Sequence, residues 1–236
     1  MNNHQFLQLV AKSFIRFLQT SSRSNEKLKI LHKEIAQDIQ NKLGDSYLIK
    51  ALGIGDGKEG KLDGRYMEKV VDILISKKEK DIAGIGVKFV MNNYAQNSNN
   101  YFENMLGETA NIRANRKKYF QIFILPEEMP YYDNKRKITK WEKITNNNIN
   151  KYIVLSNDNI DTYLHTPIKT LLFIIKFPKC VHNKITTRSQ YIKNYLGKSN
   201  IKIQPSTNIS NSFGEAIVLN DYEVFIKKVI YYLKSI

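Results

Sequence analysis

The chain has 236 residues, enough for one domain with a sizeable core, and its 37 basic against 22 acidic residues leave a net charge of +15. This balance, with a sequence pI near 9.6, points to a polyanionic partner, nucleic acid first. The single cysteine, Cys180, excludes an internal disulfide framework or a cysteine-rich zinc site, and no apolar run reaches the roughly 18 residues of a membrane span.

The first residues carry no basic-then-apolar leader pattern, so the expected location is the cytoplasm. Phe6, Leu9, Val10, Phe14, Phe17 and Leu18 recur at helical spacing. Leu28, Leu31, Ile35, Ile39 and Leu43 repeat the pattern up to Gly44, a C-terminal stop, so residues 1–45 are predicted as two helices. A loop crowded with glycine follows, Gly53 to Gly64. Its string Gly55-Asp56-Gly57-Lys58-Glu59-Gly60-Lys61-Leu62 spells GxxxxGK, but a phosphate-binding loop needs Ser or Thr where Leu62 stands, and it opens a helix. The segment is read instead as a mobile loop whose Lys58, Lys61 and Arg65 are placed to touch phosphates.

Val70 to Ile75 and Ile82 to Val90 read as buried strands of a hairpin, linked by the charged stretch Ser76 to Asp81. Asn92 to Asn100 is predicted as a turn. A helix starts there and runs to about Lys117, facing Phe102, Met105, Leu106, Thr109 and Ile112 to the core. Tyr119 to Leu125 reads as a third strand and Lys151 to Leu155 as a fourth. Thr166-Pro167 followed by Ile168, Leu171, Leu172 and Ile175 fits a helix with an N-cap and a proline in its first turn, although the β-rich content also allows a strand. Residues 183–214 are polar, basic and aperiodic. A last amphipathic helix starts near Asp221 and buries Val224, Phe225, Val229, Ile230 and Leu233. The order predicts an α/β or α+β single domain, a small mixed β-sheet flanked by helices.

Asp72 and Lys88 stand out within the hairpin. An unpaired buried charge is costly, and a divalent metal for the acid and a phosphate for the lysine would supply partners. Magnesium, a hard cation suited to carboxylate and phosphate oxygens, is the expected ion. A lone aspartate makes a poor magnesium site. A second carboxylate is therefore expected near it. His4, His32, His165 and His182 show no HxxxH or HxH spacing, so histidine–metal and triad chemistry are not expected. For nucleic acid, Asn93, Gln96 and Asn97 carry amides that suit an adenine edge, and Arg113, Arg116 and Lys117 suit phosphates or guanine. Arg188, Lys193 and Lys198, with Tyr191 and Tyr195, suit a DNA-wrapping insertion in residues 183–214. Each of these charges also has the plainer reading of a solvated helix or loop surface.

Asp72, then Gly86-Val87-Lys88, then a helix through Glu103 and Arg113, then the 119–125 strand, resembles the core of the PD-(D/E)XK nucleases, the fold of most type II restriction endonucleases. The resemblance covers residues 64–125. It departs from the family pattern at one position: the acid expected two residues before the lysine is Gly86. What the resemblance implies is a restriction-endonuclease-like core in a single nuclease domain, and magnesium-dependent hydrolysis of double-stranded DNA at a short specific sequence by a symmetric homodimer. Asp72 and Lys88 would be catalytic. Some family members take the second metal-binding acid from the helix after the lysine strand, which here would be Glu103, with Glu108 in reserve, and some take one from the helix that Glu34 represents. No membrane or nucleotide cofactor is expected. Two other readings stand beside it: a structure-specific repair or junction nuclease on the same fold, and a non-catalytic basic DNA-binding protein in which Gly86 marks a dead site.

Overall fold

The computed structural model describes residues 1–20, 24–178, 184–198, 200–209 and 211–235, so Cys180 and His182 lie outside the described residues. The two N-terminal helices form where the apolar spacing places them. Helix α1 (Asn3–Gln19) starts on a reciprocal cap between Asn2 and Gln5 and buries Phe6, Val10 and Phe14. Helix α2 (Glu26–Leu43) buries Leu31, Ile35 and Ile39 and stops at Gly44, whose φ of +83° is a conformation open chiefly to glycine.

A mixed sheet follows in the order β1 (Tyr47–Ala51), β4 (Ile73–Lys77), β5 (Lys80–Phe89), β6 (Lys118–Pro126), β9 (Lys169–Lys176) and β10 (Gln204–Pro205), and β11 (Ile217–Leu219) also pairs with β9. The β1–β4 and β4–β5 pairs are antiparallel, and β5–β6 and β6–β9 are parallel, while β7 (Glu128–Tyr132) and β8 (Ile138–Lys143) form a separate antiparallel ribbon. Parallel neighbours need a crossover, which α3 (Tyr94–Arg113) supplies between β5 and β6. Strand β6 shows how the layers are built. Phe120, Ile122 and Ile124 pack with α1, α2 and α6 (Tyr222–Lys234), while Phe123 and Leu125 pack with Tyr94 and Met105 of α3 and Tyr152 of α4 (Asn146–Ser156). Both faces are covered, which is why the strand reads as a continuous apolar run. The fold is thus a mixed α/β arrangement, a largely mixed sheet flanked by helices. Among the described residues no helix is long and apolar enough to cross a membrane.

Several expectations are corrected. Residues 151–155 belong to helix α4, not to a strand: Ile149, Tyr152 and Leu155 recur at helical spacing onto one buried side, and Thr145 caps the start. The segment from Thr166 forms strand β9 from Lys169 rather than a helix, because Leu171 to Ile175 lie in the sheet interior and are covered on both sides. Helix α3 begins at Tyr94, so the asparagine-rich stretch is its opening turns, and it ends at Arg113 rather than Lys117. Val224 of α6 is exposed, while Tyr222 and Ile226 join the buried set. The charged linker shrinks to the turn Lys78–Glu79, both at positive φ, with its flanks paired in β4 and β5. Part of the aperiodic 183–214 segment folds as α5 (Arg188–Leu196), whose Tyr191 and Tyr195 pack on Phe14 in the core instead of facing outward.

Candidate metal centre and cleft

The run from Val70 to Ile75 is not one strand. It is divided between β3 (Glu68–Val71), which pairs with β2 (Gly60–Asp63) in a separate ribbon, and β4, which enters the main sheet. Asp72 is the residue at the division. Its Oδ2 accepts the Val87 backbone N–H at 2.6 Å, which ties the carboxylate to β5. Across the ribbon Gly60 is paired with Val71, so the preceding residue, Glu59, arrives beside Asp72. Only glycine permits this seat, since a Cβ on Gly60 would lie 2.4 Å from Leu74 Cδ2.

His32 completes the group from α2. The side chain is 0% exposed, with Nε2 3.8 Å from Asp72 Oδ1 and Nδ1 3.8 Å from Glu59 Oε1. Neither ring nitrogen has a hydrogen-bond partner. One ligand atom from each of His32, Glu59 and Asp72 lies within 4.8 Å of the others, so the three side chains can hold a metal ion; no other such group occurs among the described residues.

The electrostatics follow from packing a fully buried imidazole against two half-buried carboxylates. Burial holds the His32 imidazole down at about 4, against the opposing pull of the Glu59 charge, so the ring is neutral at pH 7 and its contacts are not ion pairs. Burial pushes the Asp72 carboxyl up to about 6, with the Glu108 charge adding to the rise and the Val87 N–H, Glu59 and Lys88 opposing it. Glu59 is raised as well, by burial and then by the Asp72 charge. Two carboxylates converging on a neutral imidazole whose ring nitrogens lack partners fit a divalent cation, which would relieve the like-charge repulsion and take a nitrogen lone pair.

Asp72 is the member of the group that lines a cleft of about 400 Å³, with Lys88, Tyr101 and Glu108 among its walls. Lys88 is exposed rather than buried, and its Nζ lies 4.4 Å from the centroid of the Tyr101 ring. The cost of burying a lone charge therefore does not apply to this lysine, which lines the cleft from an exposed position on β5. At Gly86 a side chain could enter only by displacing its neighbours, since a Cβ would fall 2.4 Å from Tyr119 Oη and 2.7 Å from Gln121 Oε1.

The helix acids divide differently from the expectation. Glu108 lines the cleft, pairs with Lys69 at 3.0 Å, and accepts the Tyr119 hydroxyl at 3.5 Å. Glu103 is exposed, does not line the cleft, and exerts its field on Lys151 of α4. Glu34 is exposed and lines a different pocket, beside Asp38 and Met1, because two residues along a helix turn it away from His32.

The proposed nucleic-acid residues are scattered, and none lines the cleft. Asn93, at φ +49°, spends its amide on both backbone groups of Tyr132, whereas Gln96 is exposed and Asn97 half-buried at the start of α3. Arg113 donates to the carbonyls of Ile160, Tyr163 and Thr166, and Lys117 donates to the carbonyl of Asp81. Arg116 and Lys193 are exposed, Arg188 lies over Phe17, and Lys198 over Tyr195.

Sequence reasoning missed His32 and Glu59. For His32 a signal existed: it stands four residues after Leu28 and three before Ile35, on the apolar stripe of α2. Glu59 had none, since only the β2–β3 register brings it to Asp72. Comparison with protein-family models, with curated proteins and with solved structures found no match to this chain.

Proposed function

We propose that the protein is a divalent-metal-dependent endonuclease of the PD-(D/E)XK type that hydrolyses phosphodiester bonds in double-stranded DNA, most simply at a short specific sequence as a homodimer. The observation that carries this reading is the placement of Asp72, fixed by Val87 in a group able to bind a metal ion, in the same cleft as the exposed cation Lys88. Further support comes from β4, β5, α3 and β6, which follow one another in the strand, strand, helix, strand order of the nuclease core, and from the +15 charge, which suits a phosphate backbone.

Asp72, Glu59 and His32 would hold a divalent ion. When bound, the ion polarises the phosphate and lowers the pKa of a water. Lys88 supplies positive charge where the phosphate gathers negative charge, and its contact with Tyr101 restricts the ammonium to the cleft wall. Gly86 supplies no ligand, and Glu59 and His32 take over the role that an acid at that position would have.

Plasmid digestion in magnesium or manganese, followed by sequencing of the ends, tests the reading. Discrete bands that disappear in Asp72→Ala support it. Cutting confined to branched DNA favours a junction or repair nuclease on the same fold. Salt-sensitive duplex binding with no cutting in either ion overturns the catalytic reading in favour of a binding protein.

A further inference from the structure

We infer that the ion-binding group selects a first-row transition-metal dication, manganese and the ions after it in the series, over magnesium or calcium, because His32 is one of its ligands. This deepens the reading of the site just given and rests on the group His32, Glu59 and Asp72 being a metal site.

The imidazole carries the inference. His32 is completely buried on α2, 0% exposed, so its ring is held away from water. A neutral imidazole has one N–H to donate and one lone pair to share, and buried polar groups almost always meet both needs. Here both ring nitrogens lack a partner. Each faces a carboxylate at 3.8 Å, beyond hydrogen-bond range but close enough for a shared ligand position to lie among the three side chains. One nitrogen would give its lone pair to the ion, and the other would keep its proton toward the remaining carboxylate oxygen, which fixes the tautomer.

The donor set decides the ion. Magnesium and calcium are hard cations that prefer oxygen throughout, and magnesium gives up its waters reluctantly. A nitrogen ligand alongside two carboxylates moves affinity toward first-row transition metals, in the order manganese, iron, cobalt, with zinc also favoured. An all-oxygen group would not need a buried ring in this position. A structural ion triad of protonated histidine and two carboxylates would need short charge-assisted contacts, and the 3.8 Å separations are too long for these.

Titration calorimetry of the full chain with manganese, cobalt and magnesium tests the inference, together with nitrogen couplings in pulsed EPR of the manganese-loaded protein. The expected result is manganese bound at least about tenfold more tightly than magnesium, with a directly coordinated nitrogen. In His32→Gln the manganese preference should collapse. Equal affinity for magnesium and manganese, an all-oxygen environment in the EPR spectrum, or no ion bound at all overturns the inference. The EPR measurement uses the unmodified protein, so it holds even if His32→Gln fails to fold. A nitrogen-ligated manganese without DNA cleavage would overturn the nuclease reading and leave the inference standing. Cleavage by a protein with an all-oxygen ion site would do the reverse.

Discussion

The Tyr119 hydroxyl fills the space that a side chain at Gly86 would need: a Cβ there would lie 2.4 Å from it, and 2.7 Å from Gln121 Oε1. An acid here, where the PD-(D/E)XK pattern would have one, would collide with these side chains, because the neighbouring strand places Gln121 opposite Gly86 in register and Tyr119 two residues before it. Glu59 and His32 approach Asp72 from other directions instead. Gly86→Glu should not rebuild a ligand. Gly86→Ala should lower stability by about 1–3 kcal/mol through overpacking, measured by urea unfolding, and Gly86→Ala/Tyr119→Phe should recover part of the loss. Additive losses in the double variant would show that the two positions do not compete for space.

Asp72 and Lys88 should be separable from DNA affinity. Asp72→Asn and Lys88→Met are expected to slow cleavage by about a thousandfold or more, the scale of removing a charged group from a hydrolytic site. Duplex binding in a gel-shift assay should change only a few-fold, since the 37 basic residues would share the phosphate contacts. Wild-type cleavage by either variant would remove it from the site.

Between the helix acids, the structure discriminates. Glu103→Gln should leave cleavage and ion affinity unchanged, because the side chain is exposed and faces Lys151. Glu108→Gln removes a negative charge that helps raise the Asp72 carboxyl. Calorimetry on both variants gives the answer, and a loss of ion binding confined to Glu103→Gln would restore it as a ligand.

Ion binding should weaken on the acid side. The Asp72 carboxyl, pushed up to about 6 by burial, must lose its proton to bind a cation, so protons compete below that pH. Affinity should fall about tenfold per pH unit for each carboxylate that must deprotonate. His32, held at about 4, stays neutral across this range and adds nothing to the slope until lower pH. The limb should shift to lower pH in Glu108→Gln; an ion affinity flat from pH 5 to 7 would contradict the assignment of Asp72.

Arg113 is expected to matter for the fold rather than for DNA. Its guanidinium holds the carbonyls of Ile160, Tyr163 and Thr166. Arg113→Ala should cost about 2–3 kcal/mol, on the scale of lost hydrogen bonds to a charged group, with cleavage specificity unchanged under conditions where the variant is folded. Relaxed specificity at native stability would return it to base recognition.

The sequence alone determined what depends on neighbours along the chain. The apolar stripes of α1 and α2, the stop at Gly44, the strand at Tyr119 to Leu125 and the C-terminal helix after Asp221 all rest on local periodicity and capping. Asp72 and Lys88 were legible because charges interrupt apolar runs. The failures have a common cause. Residues 151–155 and 168–175 are short β-rich apolar runs whose periodicity does not separate helix from strand, and only coverage on both sides by other layers settles β9. The candidate ion-binding group is wholly a tertiary product. His32, Glu59 and Asp72 come from a helix, a loop and a strand junction, and they meet only because the β2–β3 register sets Glu59 beside Asp72 while α2 packs beneath. Register and helix packing are long-range choices, made by burial and close approach at Gly60, and no local pattern encodes them.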